Sequence, residues 1–227
     1  MPDFVIDAAE TPIVPVAGGG KFPVRRIFCV GRNYAAHARE MGAAPDREPP
    51  FFFSKPPDTV ISTAQVPYPP ATRLLHFEME LVVAIGRGGT AIASETALDH
   101  VYGYAAGVDL TRRDLQDEAK SLRRPWDMSK GFDAAAPIGT IVPAARVGHP
   151  AAGSITLAVN GVLRQNGDLA DMIWPVPNII AFLSNLITLK PGDLIFTGTP
   201  EGVGTIERGD KIEGSIEGVG TIAFQIA

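Results

Sequence analysis

The 227-residue chain is poor in cysteine and in positive charge. Cys29 is the only cysteine, which excludes an internal disulfide and a zinc cage built from several cysteines. We therefore expect a protein of the reducing cytoplasm. Lys and Arg number 20 against 25 Asp and Glu, for a formal net charge of -5. This balance argues against nucleic acid or an anionic membrane as the main partner.

Long apolar runs are missing as well. The most apolar stretch, residues 173–189, contains two prolines and two asparagines and is too short and too polar to cross a bilayer. The N-terminus has neither the basic start nor the apolar core of a signal peptide. No membrane partner is expected, and the 45% of hydrophobic residues suffice for a sizeable core.

Short apolar segments separated by glycine and proline predict many strands and few helices. The clearest signal is Asn160-Gly161, which suits a two-residue hairpin turn with positive φ. The predicted class is α+β and β-rich, with antiparallel or mixed sheet. We divide the chain into an N-terminal arm, residues 1–22, and one larger domain, residues 23–227. The predicted strands are 4–6, 26–30, 51–56, 78–85, 101–110, 155–159, 162–165, 194–196, 211–213 and 220–226, and the predicted helices are 33–41, 111–122 and 176–186.

Two glutamates stand on either side of Met79 at the start of a predicted strand. Side chains at i and i+2 project from one face of a strand, so Glu78 and Glu80 can converge on one point. Carboxylates in contact repel each other and need a cation or a shared proton. The apolar run over residues 81–85 indicates burial, whereas a half-exposed strand would leave both side chains in solvent. Both interpretations are open at this stage.

A third carboxylate, Asp109, ends the next predicted strand. It either caps the helix predicted from Thr111 or completes an all-oxygen cation site with the two glutamates. Three carboxylates without a nearby cysteine favour Mg²⁺ or Mn²⁺ over zinc.

Other polar residues have two interpretations each. His37 and Glu40 are neighbours at i, i+3 on a helix, which suits water activation or an ordinary surface helix. Lys130 follows an aromatic residue and either binds a carboxylate or enolate or is solvated. The same choice applies to Arg113 and Gln116. The glycine-rich segment 197–204 lacks the Gly-Lys-Ser/Thr of a P-loop, and it forms either an anion-binding loop or a tight turn.

Taken in order along the chain, these motifs resemble the fumarylacetoacetate hydrolase family, especially its short acylpyruvase and fumarylpyruvate hydrolase members. The resemblance runs over residues 26–226, and its matching segments are 29–34 with His37 and Glu40, 77–81, 107–116, 125–127 with Lys130, Asn160-Gly161 with Arg164-Gln165, and 197–204. One departure is Phe77, where many short members carry histidine; here the histidine is His76.

The resemblance implies a layered, mixed β-roll, a homodimer and a set of residue roles. Glu78, Glu80 and Asp109 would hold Mg²⁺, with Mn²⁺ or Ca²⁺ tolerated. His37 and Glu40 would activate water on a helix that closes over the substrate, and Lys130 would bind and polarise that substrate. The implied substrate-binding residues are Arg32, Tyr34, Arg113, Gln116 and Thr199.

The predicted function is metal-dependent hydrolysis of a carbon–carbon bond in an acylpyruvate, a small 2,4-diketo acid. Fumarylpyruvate, cut to fumarate and pyruvate, is the specific expectation. Decarboxylation of oxaloacetate and isomerisation of an unsaturated 2-hydroxy diacid are alternatives, because they use the same metal-bound enolate. A protein of another class, a non-catalytic small-acid binder stabilised by a metal, would use the carboxylates structurally.

Overall fold

Eighteen strands dominate the computed structural model, which describes residues 5–40 and 49–227. The strands are β1 (Ile13–Pro15), β2 (Lys21–Pro23), β3 (Arg26–Val30), β4 (Phe52–Lys55), β5 (Val60–Ile61), β6 (Gln65–Val66), β7 (Leu75–Phe77), β8 (Met79–Ile85), β9 (Val101–Val108), β10 (Thr111–Arg112), β11 (Ala136–Pro137), β12 (Val142–Pro143), β13 (Ser154–Val159), β14 (Val162–Asp168), β15 (Asp193–Phe196), β16 (Gly204–Ile206), β17 (Lys211–Ile216) and β18 (Gly220–Ile226). The predicted α+β, β-rich class is confirmed.

A six-stranded sheet in the order β12-β9-β8-β15-β3-β4 forms the centre of the fold. It is mixed, since β15 runs parallel to β3 and antiparallel to β8. Every residue of β8 is buried, which explains why its sequence from Leu81 to Ile85 is continuously apolar rather than alternating. The predicted strand 26–30 is confirmed as β3.

A five-stranded sheet in the order β14-β13-β17-β18-β6 packs against the central one. Exposed and buried residues alternate strictly along β17, as expected when one face of a sheet meets the core and the other meets solvent. The hairpin predicted at Asn160-Gly161 joins β13 to β14, and both turn residues have positive φ, 52° and 76°. Three smaller sheets, β1-β2, β5-β11 and β10-β7-β16, complete the layers.

Short helices connect the sheets. They are α1 (Ala35–Glu40), α2 (Arg113–Ser121), α3 (Asp127–Lys130), α4 (Ala144–Val147) and α5 (Val176–Leu186), with 3-10 turns at Pro57–Thr59, Ser94–His100 and Leu169–Asp171. The prediction for α5 is confirmed. Helix α1 begins two residues later than predicted, and the predicted end at Met41 and Gly42 lies outside the described residues. In the described part of the chain, no helix combines the length and the apolarity that a membrane span requires.

Most predicted strands differ from the observed ones by a few residues at their ends, as 101–110 does from Val101–Val108, and two differences bear on the fold. Val5 and Ile6 are exposed and lie in no strand, while Phe4 is outside the described residues. The arm instead forms the hairpin β1–β2, which buries Val14 completely. The predicted strand 78–85 begins at Met79, because Glu78 separates β7 from β8 and these strands belong to different sheets. The division at residue 22 into arm and domain stays a prediction.

Candidate active site

Glu78, Glu80 and Asp109 meet where the chain passes between sheets, and we call these three residues the acidic floor. Glu78 lies between β7 and β8, Glu80 lies in β8 opposite Gly107 of β9, and Asp109 directly follows β9. The Asp109 backbone N–H donates to the Glu78 carbonyl at 2.8 Å, and this bond holds the residue after β9 beside the residue before β8. Carboxylate oxygens of the three residues lie within 4.8 Å of one another, and the residues are 6%, 2% and 0% exposed.

This burial decides between the interpretations that the sequence left open. Glu78 and Glu80 do not face solvent, so the exposed-strand interpretation is wrong. Asp109 does not cap the following helix, because residues 111–112 form β10 and α2 begins only at Arg113. Three buried carboxylates at one point repel each other and require positive charge nearby.

Three cations of the chain surround the acidic floor. The Lys130 ammonium donates three hydrogen bonds of 2.7 Å, to Glu78, Asp109 and the Thr111 hydroxyl. The Arg113 guanidinium pairs with the other oxygen of Glu78 and also donates to the Gln116 side-chain oxygen. An ammonium has three N–H donors, so the floor and Thr111 together use all those of Lys130.

The third cation, Lys55, was missed by sequence reasoning. Its ammonium lies 2.7 Å from Asp109 Oδ1 and donates to the carbonyls of Leu110 and Lys130. Lys55 ends β4 and is only 2% exposed. A lysine is rarely buried unless it is paired. The residues around Lys55, an apolar run before it and a proline after it, did not indicate which carboxylate would pair with it. Lys55 therefore pairs with Asp109 without being one of the residues that line the cavity.

The pKa values of the floor are unequal. Burial would raise the pKa of Glu78, but Lys130 and Arg113 outweigh it and hold that pKa well below its usual range. For Lys130, burial would lower the pKa, and the carboxylates of Asp109 and Glu78 raise it instead. Burial, together with the charges of Asp109 and Glu78, raises the pKa of Glu80. Glu80 is therefore the carboxylate with the least compensation.

The acidic floor fits a divalent cation. Glu80 accepts one hydrogen bond of 2.7 Å from the Gly198 backbone N–H, and its raised pKa marks a shortage of positive charge at this point. All candidate ligand atoms are carboxylate oxygens, the donors that Mg²⁺, Mn²⁺ and Ca²⁺ prefer. The predicted ligands are thus brought together with suitable chemistry.

His37 and Glu40 form the pair expected from their spacing. His37 Nδ1 lies 3.2 Å from a Glu40 carboxylate oxygen, and the same carboxylate accepts the Gly202 N–H at 3.3 Å. His37 is 6% exposed and lines the cavity above Glu78 and Glu80. Since Nδ1 faces Glu40, the Nε2 atom is left to act on a water or a substrate.

The glycine-rich loop 197–204 closes the side of the cavity. Gly198 and Gly202 have φ of 94° and 88°, and a Cβ atom would meet Asn33 Cβ at 2.7 Å or the Arg164 carbonyl at 2.2 Å. Gln165 accepts the Met79 N–H at 2.9 Å and donates at 2.8 Å both to the Thr199 hydroxyl and to the Pro200 carbonyl. Gln165 therefore positions this loop beside β8, a role that its motif did not indicate.

Most of the predicted site residues share one cavity. Its wall includes the predicted residues Arg32, His37, Glu78, Glu80, Arg113, Gln116, Lys130 and Thr199. Tyr34 is 2% exposed and packs in the hydrophobic core, and burial raises the pKa of its hydroxyl. Its predicted contact with substrate stays a prediction. Phe53, Lys120 and Trp126 also line the cavity, and the sequence did not single them out as site residues.

Comparison with known proteins identifies this arrangement. The model of the fumarylacetoacetate (FAA) hydrolase C-terminal family matches residues 26–227. The chain belongs to the fumarylacetoacetate hydrolase family. A solved structure from Burkholderia cenocepacia is 57% identical with a TM-score of 0.94, and the match covers 100% of this chain and 99% of that one.

Two relatives in the family have named activities. Fumarylpyruvate hydrolase from Pseudomonas aeruginosa, solved with Mn²⁺ and pyruvate, is 48% identical with a TM-score of 0.97, and the match covers 99% of both chains. The mitochondrial oxaloacetate tautomerase FAHD1 of Homo sapiens is 42% identical over 204 residues, 89% of this chain and 91% of that protein. Family membership thus indicates an enzyme, and the activities of its relatives differ.

Phe77 lies where the resemblance led us to expect a histidine, and that expectation about the family stays a prediction. Phe77 is 1% exposed and packs in the core, whereas the adjacent His76 contacts the site. Arg113 donates from Nε to His76 Nδ1 at 3.3 Å. Burial and the Arg113 charge lower the pKa of His76 to about 4, so its imidazole is neutral at neutral pH and free to accept this bond. The histidine beside Glu78 therefore supports Arg113.

Proposed function

We propose that this protein hydrolyses the C3–C4 bond of an acylpyruvate in a reaction that requires a divalent cation, and that fumarylpyruvate is its substrate. The observation that carries the proposal is that His37, paired with Glu40, lines one cavity together with Glu78 and Glu80 of the buried acidic floor. Hydrolysis requires a base that activates water, and this pair supplies one. The 48% identical Pseudomonas aeruginosa enzyme supports the choice of substrate.

Glu78, Glu80 and Asp109 are the proposed ligands of the cation, with Mg²⁺ or Mn²⁺ preferred and Ca²⁺ tolerated. The bound cation supplies fixed positive charge beside the carboxylate and 2-oxo group of the diketo acid. Lys55, Arg113 and Lys130 hold Glu78 and Asp109 in place, and the Gly198 N–H holds Glu80.

His37 is the proposed general base. Glu40 orients its ring through Nδ1, so that Nε2 accepts a proton from water while the water oxygen attacks the C4 carbonyl. The C3–C4 bond then breaks and leaves its electron pair on C3, delocalised to the 2-oxo oxygen as the enolate of pyruvate. The proton held by His37 passes to C3 and completes pyruvate, and the acyl half leaves as a carboxylic acid.

Lys130 contributes a fixed positive charge near this enolate. Its raised pKa keeps it protonated at neutral pH. Because the floor and Thr111 occupy all three of its donors, contact with substrate requires Lys130 to exchange one of these bonds. Charge that is already in position costs no reorganisation as the enolate develops.

We further propose that helix α1 closes over the substrate and excludes bulk water. Glu40 reaches loop 197–204 through the Gly202 N–H, which supports such a docked position. Arg32, Tyr34, Arg113, Gln116 and Thr199 are the proposed substrate-binding residues. A homodimer in the cytoplasm, with residues 1–22 as an arm on domain 23–227, completes the proposal.

Oxaloacetate is the second candidate substrate. The 42% identical human relative is named an oxaloacetate tautomerase, and the acidic floor suits any reaction through a metal-stabilised enolate. Tautomerisation and decarboxylation need no attacking water, so neither reaction uses His37 and Glu40 to activate one. The same holds for isomerisation of an unsaturated hydroxy diacid. A non-catalytic binder would give the pair no catalytic function at all.

A substrate panel tests the proposal. Fumarylpyruvate, acetylpyruvate and oxaloacetate are each incubated with purified protein and Mg²⁺ or Mn²⁺. We expect the ultraviolet absorbance of the acylpyruvates to fall and EDTA to prevent the change. Turnover of oxaloacetate alone would favour the second candidate. No turnover of any of the three would overturn the hydrolase proposal and leave isomerisation and non-catalytic binding as the alternatives.

A further inference from the structure

Two cations in the wall of the cavity, Arg32 and Lys120, lie on aromatic rings, and we call them the mouth pair. The Arg32 guanidinium is 5.5 Å from the centre of the Phe51 ring, and the Lys120 ammonium is 5.5 Å from that of Trp126. Phe51 and Trp126 pack edge to face at 5.7 Å. The two rings thus hold both cations at one side of the cavity, where Arg32 and Lys120 line the wall.

The mouth pair is short of negative partners. Within residues 5–40 and 49–227, Arg32 has no carboxylate within 4.0 Å, and Lys120 has only Asp117 at 4.0 Å. The Asp117 side chain is 59% exposed, so this pair is worth little. Lys130, by contrast, has two buried carboxylates at 2.7 Å.

The surroundings of Lys120 also disfavour its charge. Its side chain is 31% exposed, and burial followed by the charge of Arg113 lowers its pKa, with Arg32 acting in the same direction. Asp117 and Glu78 act in the opposite direction without cancelling this effect. Within the described ranges 5–40 and 49–227, the only carboxylate paired with these two cations is the exposed Asp117. Positive charge with so little neutralisation in the wall of a cavity suits an anion.

We infer that Lys120 and Arg32 bind a second carboxylate at the far end of the acyl group, and so select dicarboxylic over monocarboxylic acylpyruvates. The inference deepens the proposed function and rests on it for the orientation of the substrate. The diketo acid end lies at the acidic floor with Lys130 and Arg113, so the acyl group extends along Phe53 and Trp126 toward the mouth pair.

A matched pair of substrates tests this inference. Fumarylpyruvate and crotonylpyruvate have the same carbon skeleton and differ at the far end, where a carboxylate replaces a methyl group. We expect Lys120→Gln to lower kcat/KM for fumarylpyruvate about 10- to 100-fold, the range for one charge-assisted hydrogen bond, mainly through KM. The ratio of the two kcat/KM values should fall by the same factor, and Arg32→Gln should act in the same direction.

The control variant is Lys211→Gln, which removes a lysine from the exposed side of β17 and should leave both the ratio and the rates unchanged. Circular dichroism melting of all variants checks that the fold is intact. An unchanged ratio of the two kcat/KM values would overturn the inference. If both values fall equally, the mouth pair holds the carboxylate common to both substrates or acts structurally.

A binding measurement separates this inference from the proposed function. Fumarate and crotonate are titrated calorimetrically into wild type and Lys120→Gln in the presence of Mn²⁺. We expect wild type to bind fumarate at least 10-fold more tightly than crotonate and the variant to lose this preference. If no acylpyruvate is cleaved but the preference depends on Lys120, the inference stands and the hydrolase proposal fails. If wild type binds both acids equally, the inference fails whatever the turnover.

Discussion

The acidic floor and the mouth pair are two charged regions of one cavity, and they are built in opposite ways. In the floor, Lys130 and Arg113 form short hydrogen bonds with Glu78 and Asp109, and Glu80 accepts one from the Gly198 N–H. In the mouth, two cations lie on aromatic rings, and among residues 5–40 and 49–227 only Asp117 pairs with either of them. The charges of the floor are held in place by the chain itself, whereas the mouth carries charge that a particular substrate must neutralise.

This comparison predicts that changes in the floor abolish the reaction. Glu80→Gln removes one of three carboxylates from the candidate cation site and should abolish both Mn²⁺ binding and turnover, with activity reduced more than 1,000-fold, about 4 kcal/mol. Calorimetric titration with Mn²⁺ and an acylpyruvate assay measure the two effects. The exposed variant Glu213→Gln is the control. A Glu80→Gln protein that binds Mn²⁺ as wild type does would remove Glu80 from the site.

A change at the proposed base should lower turnover without weakening cation binding, unlike a change in the acidic floor. His37→Ala removes the proposed general base and should lower kcat about 100- to 10,000-fold while Mn²⁺ binding is retained. Glu40→Gln should have a smaller effect, because the imidazole stays and only loses its orienting carboxylate. Steady-state kinetics and Mn²⁺ titration of both variants measure this. A normal rate of acylpyruvate hydrolysis by His37→Ala would refute the base assignment.

The support beneath the floor should affect stability first. Lys55→Met leaves Asp109 without one of its cations and removes the donor from two buried carbonyls, so we expect a loss of about 3–5 kcal/mol in the free energy of unfolding in EDTA. Added Mn²⁺ should restore more stability to this variant than to wild type, since the ion replaces part of the lost charge. Urea unfolding with and without Mn²⁺ measures both, and equal gains would contradict the account.

The loop beside the floor should show the smallest effect. Gln165→Leu removes an acceptor from the Met79 N–H and a donor from Thr199 and Pro200, and should cost about 1–3 kcal/mol of stability through the unsatisfied buried groups. KM for the acylpyruvate should rise more than kcat falls, because Thr199 loses its position. Thermal unfolding and kinetics test this, and an unchanged KM would place Thr199 outside the binding site.

Local features of the fold were predictable from the sequence. The turn at Asn160-Gly161, strand β3 and helix α5 depend on backbone preference and apolar pattern within a few residues, and all three predictions are confirmed. The boundary at Glu78 was not predictable in this way. Glu78 has no unusual backbone preference that would end a strand. β8 starts after it only because β7 pairs with strands of another sheet.

The site divides along the same line. Glu78, Glu80, Asp109, His37 and Glu40 belong to short motifs. The structure brings the first three within 4.8 Å of one another and pairs the other two, while their functional roles stay predictions. Lys55 was missed because its role depends on Asp109, which is distant in sequence. Lys120 was missed because its role depends on the nearby charge of Arg32, which lies on the ring of Phe51 and is also distant in sequence. A single sequence shows which residues have suitable chemistry but does not show which of them tertiary packing leaves short of partners.

Product analysis of one reaction tests the central claim most directly. Fumarylpyruvate is incubated with the metal-free protein, and Mn²⁺ is then added while products are followed by proton NMR. The account predicts no change before Mn²⁺ and equimolar fumarate and pyruvate afterwards, with one oxygen from labelled water in the fumarate. Intact fumarylpyruvate after Mn²⁺, or cleavage that continues in EDTA, would contradict it.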